Sequence, residues 1–377
     1  MTQEEKSIFV VRPSLPPLEE FMAEIQDMWE TGIMTHQGPK HNELQAKLEK
    51  FMDVPNITLF ANGHLALELG LESLQLEGEV ITTPFTFGST TQAILRNGLT
   101  PVFCDIKQDD YTIDCDKLES LITEKTSAII PVHVYGNICE VERIQEIAKR
   151  YNLKVIYDGA HAFGELYKGK NIAHYGDMVM FSFHATKVLN TVEGGCLVYK
   201  DGDKTQYLEG LRQFGQIVRT DAVPYVGTNA KMTDMHAAMG LCNLRHIEEY
   251  IEKRKAVAER YGEHLTGIEG IKLNPVQRDV VSNYAYFPVV FEEQNTGIDR
   301  DMVMERLAEH KVFVRKYFYP LCSEFECIRE MGIQADVPIA AYMSDRVLTL
   351  PCYSDLALED VDRICEIIKS LYGKTRK

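Results

Sequence analysis

Between residues 57 and 199 short apolar runs alternate with segments of helical periodicity, and this alternation restricts the fold more than any other feature. ITLF (57–60) reads as a buried strand, followed by a helix through HLALELGLESL. EVITT is a strand, and GSTTQAILRNG starts a helix that ends at Gly98. PVFCDI is a strand, and Asp114 and Asp116 stand at the start of a helix through DKLESLI. SAIIPVHV is a strand, CEVERIQEIAKRY a helix and KVIYD a strand ending in an acid; MVMFSF and GGCLVY are two more strands. Strands that are apolar throughout, separated by helices, imply a mostly parallel sheet covered on both faces. In such α/β sheets ligands bind beyond the C-terminal strand ends. Asn62, Phe85 to Gly88, Asp158 and the loop after Phe183 are thereby expected in one region.

The flanks read differently. Residues 1–45 resemble an arm, extended through VVRPSLPP and helical from Leu18 to Trp29. A long charged helix, LRHIEEYIEKRKAVAERYGEHL, leads toward a smaller α+β unit with strands near YAYFPVVF and VFVR and a last helix through DVDRICEIIKSLY. The expected division is 1–245 for arm and large domain and 246–377 for the small C-terminal domain.

With 40 Lys and Arg against 56 Asp and Glu, the formal charge is −16. A polyanion binder needs an excess of cations to displace counterions, so neither nucleic acid nor an anionic membrane is an expected partner. A small phosphorylated ligand stays compatible, because a few local donors outweigh the mean field. The nine cysteines include no C-x-x-C pair, as expected for buried, reduced thiols. No apolar run approaches the roughly 20 residues of a membrane span, and MTQEEKSIFVVRPSLPP lacks a basic stretch followed by an apolar core. A soluble, cytoplasmic protein is expected.

The chemistry concentrates in FSFHATKVLNTVEGG. Lys187 follows a strand and precedes a loop closed by two glycines, where desolvation turns an amine into a nucleophile toward an aldehyde. A lone loop lysine is usually a solvated charge, so its companions carry the argument. Asp158 ends a strand in the same crevice and suits a protonated ring nitrogen, the partner that makes pyridoxal 5'-phosphate (PLP) a better electron sink. Asn62, Gly63 and His64 lie at a strand-to-helix junction whose free N–H groups favour phosphate, and Ser182 offers a hydroxyl. Phe87 is placed to stack on an aromatic ring.

These segments, in order, resemble the DegT/StrS nucleotide-sugar aminotransferases, a branch of the fold-type I PLP-dependent transferases. The resemblance runs from NGHLALELGL through TPFTFGSTTQAI, GLTPVFCDI, AIIPVHVYG, IYDGAHAFG and SFHATKVLNTVEGG to NAKMTDMHAAMGL, RKYFYPL and VLTLPCY. It implies a mostly parallel seven-stranded sheet sandwiched by helices, with a smaller C-terminal α+β domain. Lys187 would hold PLP covalently and then shuttle a proton. Asp158 would pair with the ring nitrogen, His161 would lie near the phenolic oxygen, and Phe87 would stack on the ring. Gly63, His64 and Ser182 would hold the phosphate, and Asn229 would reach the phosphate of a neighbouring subunit in a homodimer with shared active sites. Tyr319 would contact the sugar and Arg315 the diphosphate. L-glutamate would be the donor, pyridoxamine 5'-phosphate the aminated cofactor form, and a dTDP-linked 4-keto-6-deoxyhexose of surface-polysaccharide synthesis the acceptor. No metal is implied. His64 departs from the family's usual Thr or Ser, an imidazole being the available substitute for the lost hydroxyl, and Gly159 departs from the usual Ala. A dehydratase branch carries His in place of the lysine, so Lys187 favours transamination over dehydration; amination of a 3-keto sugar is the alternative within the family.

Overall fold

The computed structural model describes residues 7–35, 37–217, 220–274 and 276–372. Seven strands form the large sheet: β1 (Ile57–Phe60), β2 (Glu79–Thr82), β3 (Thr100–Phe103), β4 (Thr126–Ile130), β5 (Lys154–Asp158), β6 (Met178–Ser182) and β7 (Gly195–Tyr199). Their order is β1-β7-β6-β5-β4-β2-β3, and every neighbouring pair is parallel except those made by β7. All seven coincide with the apolar runs of the sequence.

Successive side chains of a strand point to opposite faces, and two separate cores result. Leu59, Ile81, Ile129, Val155, Tyr157, Val179, Phe181 and Cys196 face one side, against α2 (Pro39–Met52), α5 (Val141–Tyr151) and α6 (Asp234–Arg245). Phe60, Val80, Ala128, Ile130, Ile156, Met180 and Leu197 face the other, against α3 (Gly63–Leu74) and α4 (Ser89–Arg96). Asn62 starts α3: its side-chain oxygen accepts the Leu65 N–H at 2.8 Å, a cap worth about 1 kcal/mol.

The arm helix α1 runs Leu18–Thr31. The charged helix is broken at His246, between Arg245 and α7 (Ile247–Leu265). Val257, Tyr261 and Leu265 of α7 enter a further core with α8 (Arg300–Glu309), α9 (Leu358–Tyr372) and a three-stranded antiparallel sheet of β8 (Ile271–Leu273), β9 (Phe287–Phe291) and β10 (Val347–Leu350). VFVR adds no strand to that sheet and meets it only through an antiparallel bridge from Arg315 to Thr349 of β10. Only Val312–Phe313 is extended, and it pairs in parallel with Ile8–Phe9 of the arm. DKLESLI is likewise shorter than its reading: four α-helical residues, Cys115–Leu118, then a 3-10 turn. Eight of the nine cysteines are buried and all are free; Cys327 is exposed. Among the described residues no helix is long and apolar enough to cross a membrane, and no group of side chains could hold a metal ion.

Candidate active site

β5 ends at Asp158, and the parallel neighbours β4 and β6 leave its carboxylate at the carboxyl edge of the sheet, buried. One oxygen accepts the Thr90 hydroxyl at 2.8 Å and the other the Ala160 N–H at 3.1 Å. Thr90 comes from the first turn of α4, so the helix after β2 supplies the support for an acid on β5. Burial raises the Asp158 pKa above the usual carboxylate value; the Thr90 hydroxyl, the Ala160 N–H and the charge of Lys187 oppose that rise. No cation lies within ion-pair distance of Asp158 among the described residues. A buried carboxylate without a cation is costly, and its chemistry fits a cationic ring nitrogen.

Three residues on, His161 is buried. Its Nδ1 accepts the Tyr135 N–H at 3.0 Å. Burial, and secondarily the charge of Lys187, push its pKa well below the ordinary value, so the ring is neutral. With Nδ1 accepting, the proton sits on Nε2, and the imidazole presents a donor. The ring lies parallel to Phe318 (6.0 Å, 5°) and meets Tyr286 at 4.5 Å and 53°. The Tyr135 hydroxyl donates to the Tyr317 carbonyl, which fastens this wall to the RKYFYPL segment.

Lys187 reaches the same wall from the loop after β6. Its Nζ donates to the Tyr286 hydroxyl at 3.3 Å, and it is close enough to Asp158 and His161 for its charge to act on both.

The N-terminus of α3 abuts β6 and β7. A Cβ on Gly63 would lie 2.9 Å from the Ser182 Cβ, and one on Gly195 would lie 2.5 Å from the Gly63 nitrogen. Both positions need glycine for this approach. The Asn62 cap takes the Leu65 N–H, which leaves the Gly63 and His64 N–H groups without an intrahelical acceptor. The imidazole of His64 is engaged elsewhere: Nδ1 pairs with the Ser89 hydroxyl at 3.0 Å and Nε2 with Glu68 at 3.2 Å. It therefore does not replace the missing hydroxyl at this cup, where the backbone N–H is what position 64 offers. Ser182 is half-buried, and its Oγ makes only a long contact, 3.4 Å, from the His184 N–H. Phe87 is 65% exposed, whereas Phe85 is buried among Tyr111, Tyr135 and Phe318.

Three expected residues lie outside this cluster. Asn229 is exposed and accepts from Lys231 Nζ at 2.5 Å. The Tyr319 ring is half-exposed between Arg300 and Lys316, with charge centres 5.0 and 5.4 Å from its centroid. Arg315 is held by its backbone to Thr349, and its side chain is exposed.

A profile of the DegT/DnrJ/EryC1/StrS aminotransferase family matches residues 18–369. The chain belongs to this family. It is 44% identical to the dTDP-4-amino-4,6-dideoxy-D-glucose transaminase of Escherichia coli over 370 residues, 97% of this chain and 98% of that protein. The crystal structure of DesI with its TDP-sugar product superposes with a TM-score of 0.93 at 32% identity, covering 99% of this chain and 95% of that one. Streptococcus pneumoniae Spr1654, in a PLP form, matches with a TM-score of 0.90 at 27% identity, covering 99% and 100%. Like its family, the chain is a PLP-dependent aminotransferase. Its residues fit that cofactor: a buried carboxylate lacking a cation, a neutral imidazole with a free donor, a glycine-lined helix N-terminus and an amine nearby.

Thr90, Tyr135 and Tyr286 touch Asp158, His161 and Lys187, and the sequence did not single them out. Thr90 carried a faint signal, since it opens a helix at the carboxyl edge of the sheet; Tyr135 falls just past the expected strand SAIIPVHV, and Tyr286 read as a strand residue.

Proposed function

We propose that this aminotransferase moves an amino group from L-glutamate to the keto carbon of a nucleotide-linked 4-keto-6-deoxyhexose, dTDP-linked, to give the 4-amino-4,6-dideoxy sugar used in surface polysaccharides such as O-antigen. The acceptor is inferred from the name of the Escherichia coli relative and its identity across nearly the whole chain. The observation that carries the chemical part is the unpaired, buried Asp158 with Lys187 within electrostatic reach.

When bound, PLP supplies an aldehyde and an electron sink. The residues of the chain do the rest. The Lys187 amine would hold the cofactor and would move the proton at the donor Cα. Asp158, to which the Thr90 hydroxyl and the Ala160 N–H donate, would balance charge on the ring. His161 donates from Nε2, Phe87 covers the ring, and Gly63, His64 and Ser182 receive the phosphate through N–H and hydroxyl groups. Tyr319 and Arg315 contact the sugar nucleotide. Asn229 serves the site of a second copy in a homodimer; its exposure in this chain supports that reading. We place the division between the two domains at 245/246, where the helix breaks, and the enzyme in the cytoplasm.

The test incubates the protein with PLP, L-glutamate and a panel of nucleotide keto sugars, with products read by mass and NMR. Nitrogen at C4 of the dTDP sugar, matched by 2-oxoglutarate and absent with Lys187→Ala, is the expected result. Amination only at C3, or loss of water without gain of nitrogen, would overturn the substrate assignment.

A further inference from the structure

Tyr286 stands 99 positions from Lys187 in sequence, yet its hydroxyl is the hydrogen-bond partner that the Lys187 amine finds. The ring is held on both sides. It packs on His161 at 4.5 Å and on Tyr317 at 6.0 Å. Its backbone is set by Asn283, which is buried. The Asn283 Nδ2 donates to the carbonyls of His161 (2.9 Å) and Phe163 (3.0 Å), its Oδ1 accepts the Ala285 N–H (2.9 Å), and its own N–H is received by the buried Glu165 (3.1 Å). One side chain thus ties the loop after Asp158 to the segment that delivers Tyr286.

The cluster holds two opposite charges that are not bonded to each other. An ammonium and a buried carboxylate near one another gain strongly by forming a contact pair. In such a pair the carboxylate is no longer available to a ring nitrogen, and the amine is held protonated and unreactive. Resting on the reading of Lys187 given above, we infer that Tyr286 is a positioning residue that holds the Lys187 amine on the His161 wall and keeps it from collapsing onto Asp158.

The test measures covalent capture of PLP by the cofactor-free full-length chain, read as the visible absorbance of the lysine-bound cofactor and as label fixed by borohydride. Tyr286→Phe keeps the ring that packs on His161 and removes only the hydroxyl. It should slow capture about tenfold or more, the scale of one hydrogen bond to a charged group, in a chain that still melts cooperatively. In Asp158→Asn there is no carboxylate to trap the amine, so Asp158→Asn/Tyr286→Phe should capture as fast as Asp158→Asn alone. Wild-type capture by Tyr286→Phe, or an equal slowing in both backgrounds, would overturn the inference. Covalent capture that persists in Lys187→Ala would instead sink the assignment of Lys187 itself.

Discussion

Asp158→Asn separates the two things that the buried carboxylate does. The substitution preserves shape. The amide oxygen can still accept the Ala160 N–H, and its NH2 can donate to Thr90 Oγ1, which lies 3.1 Å from Thr86 Oγ1 and can turn its own proton that way. Packing and hydrogen bonding survive, and only the charge is lost. Removing one partner of a buried ion pair costs about 3–5 kcal/mol; at about 1.4 kcal/mol per factor of ten, the donor half-reaction should fall by roughly 100- to 3,000-fold. Stability of the cofactor-free protein should move the other way. The pKa of Asp158 is raised in the folded chain. The neutral acid therefore favours folding, fully so below the unfolded carboxylate value of about 3.9, and that contribution is lost as pH rises through the higher folded value. The amide has no such loss. Cofactor-free Asp158→Asn should match the wild type in melting temperature near pH 3.5 and exceed it at neutral pH, with the gap opening between. Single-turnover absorbance with L-glutamate and thermal melts across pH read both effects. A variant within threefold of wild-type turnover, or a melting gap that closes as pH rises, would refute the argument.

Gly63→Ala places a Cβ 2.9 Å from the Ser182 Cβ and 3.1 Å from the Ser182 Cα, so the helix start proposed to receive the phosphate must shift; cofactor affinity by fluorescence titration should fall at least about tenfold while the chain stays folded, at a cost of about 1–3 kcal/mol from overpacking. His64→Ala should leave that affinity within about threefold, because the ring is spent on Ser89 and Glu68 and the backbone N–H is unchanged. Thr90→Val removes one hydrogen bond to Asp158, worth about 1.5–3 kcal/mol to a charged acceptor; the acid limb of the half-reaction should move to higher pH by about 1–2 units.

The sequence made the large sheet readable because its strands are buried on both faces, so ITLF and MVMFS are apolar apart from Thr58, whose buried hydroxyl pairs with Tyr199, and half-buried Ser182. Asp158, Lys187 and Gly63 stood out as candidates for a related reason. A strand-end acid, a lysine before two glycines and a glycine opening a helix all break the surrounding pattern. What stayed hidden depends on contacts between distant segments. VFVR looks like any short strand, yet its pairing is split between the arm, some 300 positions away, and a single bridge from Arg315 to the nearer sheet. His246 interrupts a helix whose charge pattern runs on unbroken. Tyr286 sits in an apolar run that reads as a strand, and only the fold reveals that its hydroxyl faces Lys187.

The same contrast explains how the site is put together. The groups on the large sheet, Asp158, Gly63 and Ser182, are fixed by ladders and helix starts that close over short stretches of chain. The groups around His161 and the amine come from later segments: Tyr286, one residue before β9, meets Lys187, and Phe318, beyond the Val312–Phe313 strand, lies parallel to His161. Their placement relies on a few buried polar side chains, with Asn283 and Glu165 joining the loop after β5 to the strand that follows. Glu165 is fully buried, and burial raises its pKa well above the usual value; its Oε1 accepts the Asn283 N–H and the Ser282 hydroxyl. An apolar replacement at either position would keep the core filled and lose the register between the two walls. The sheet fixes where the cofactor chemistry sits, and this buried polar joint fixes how the amine meets it.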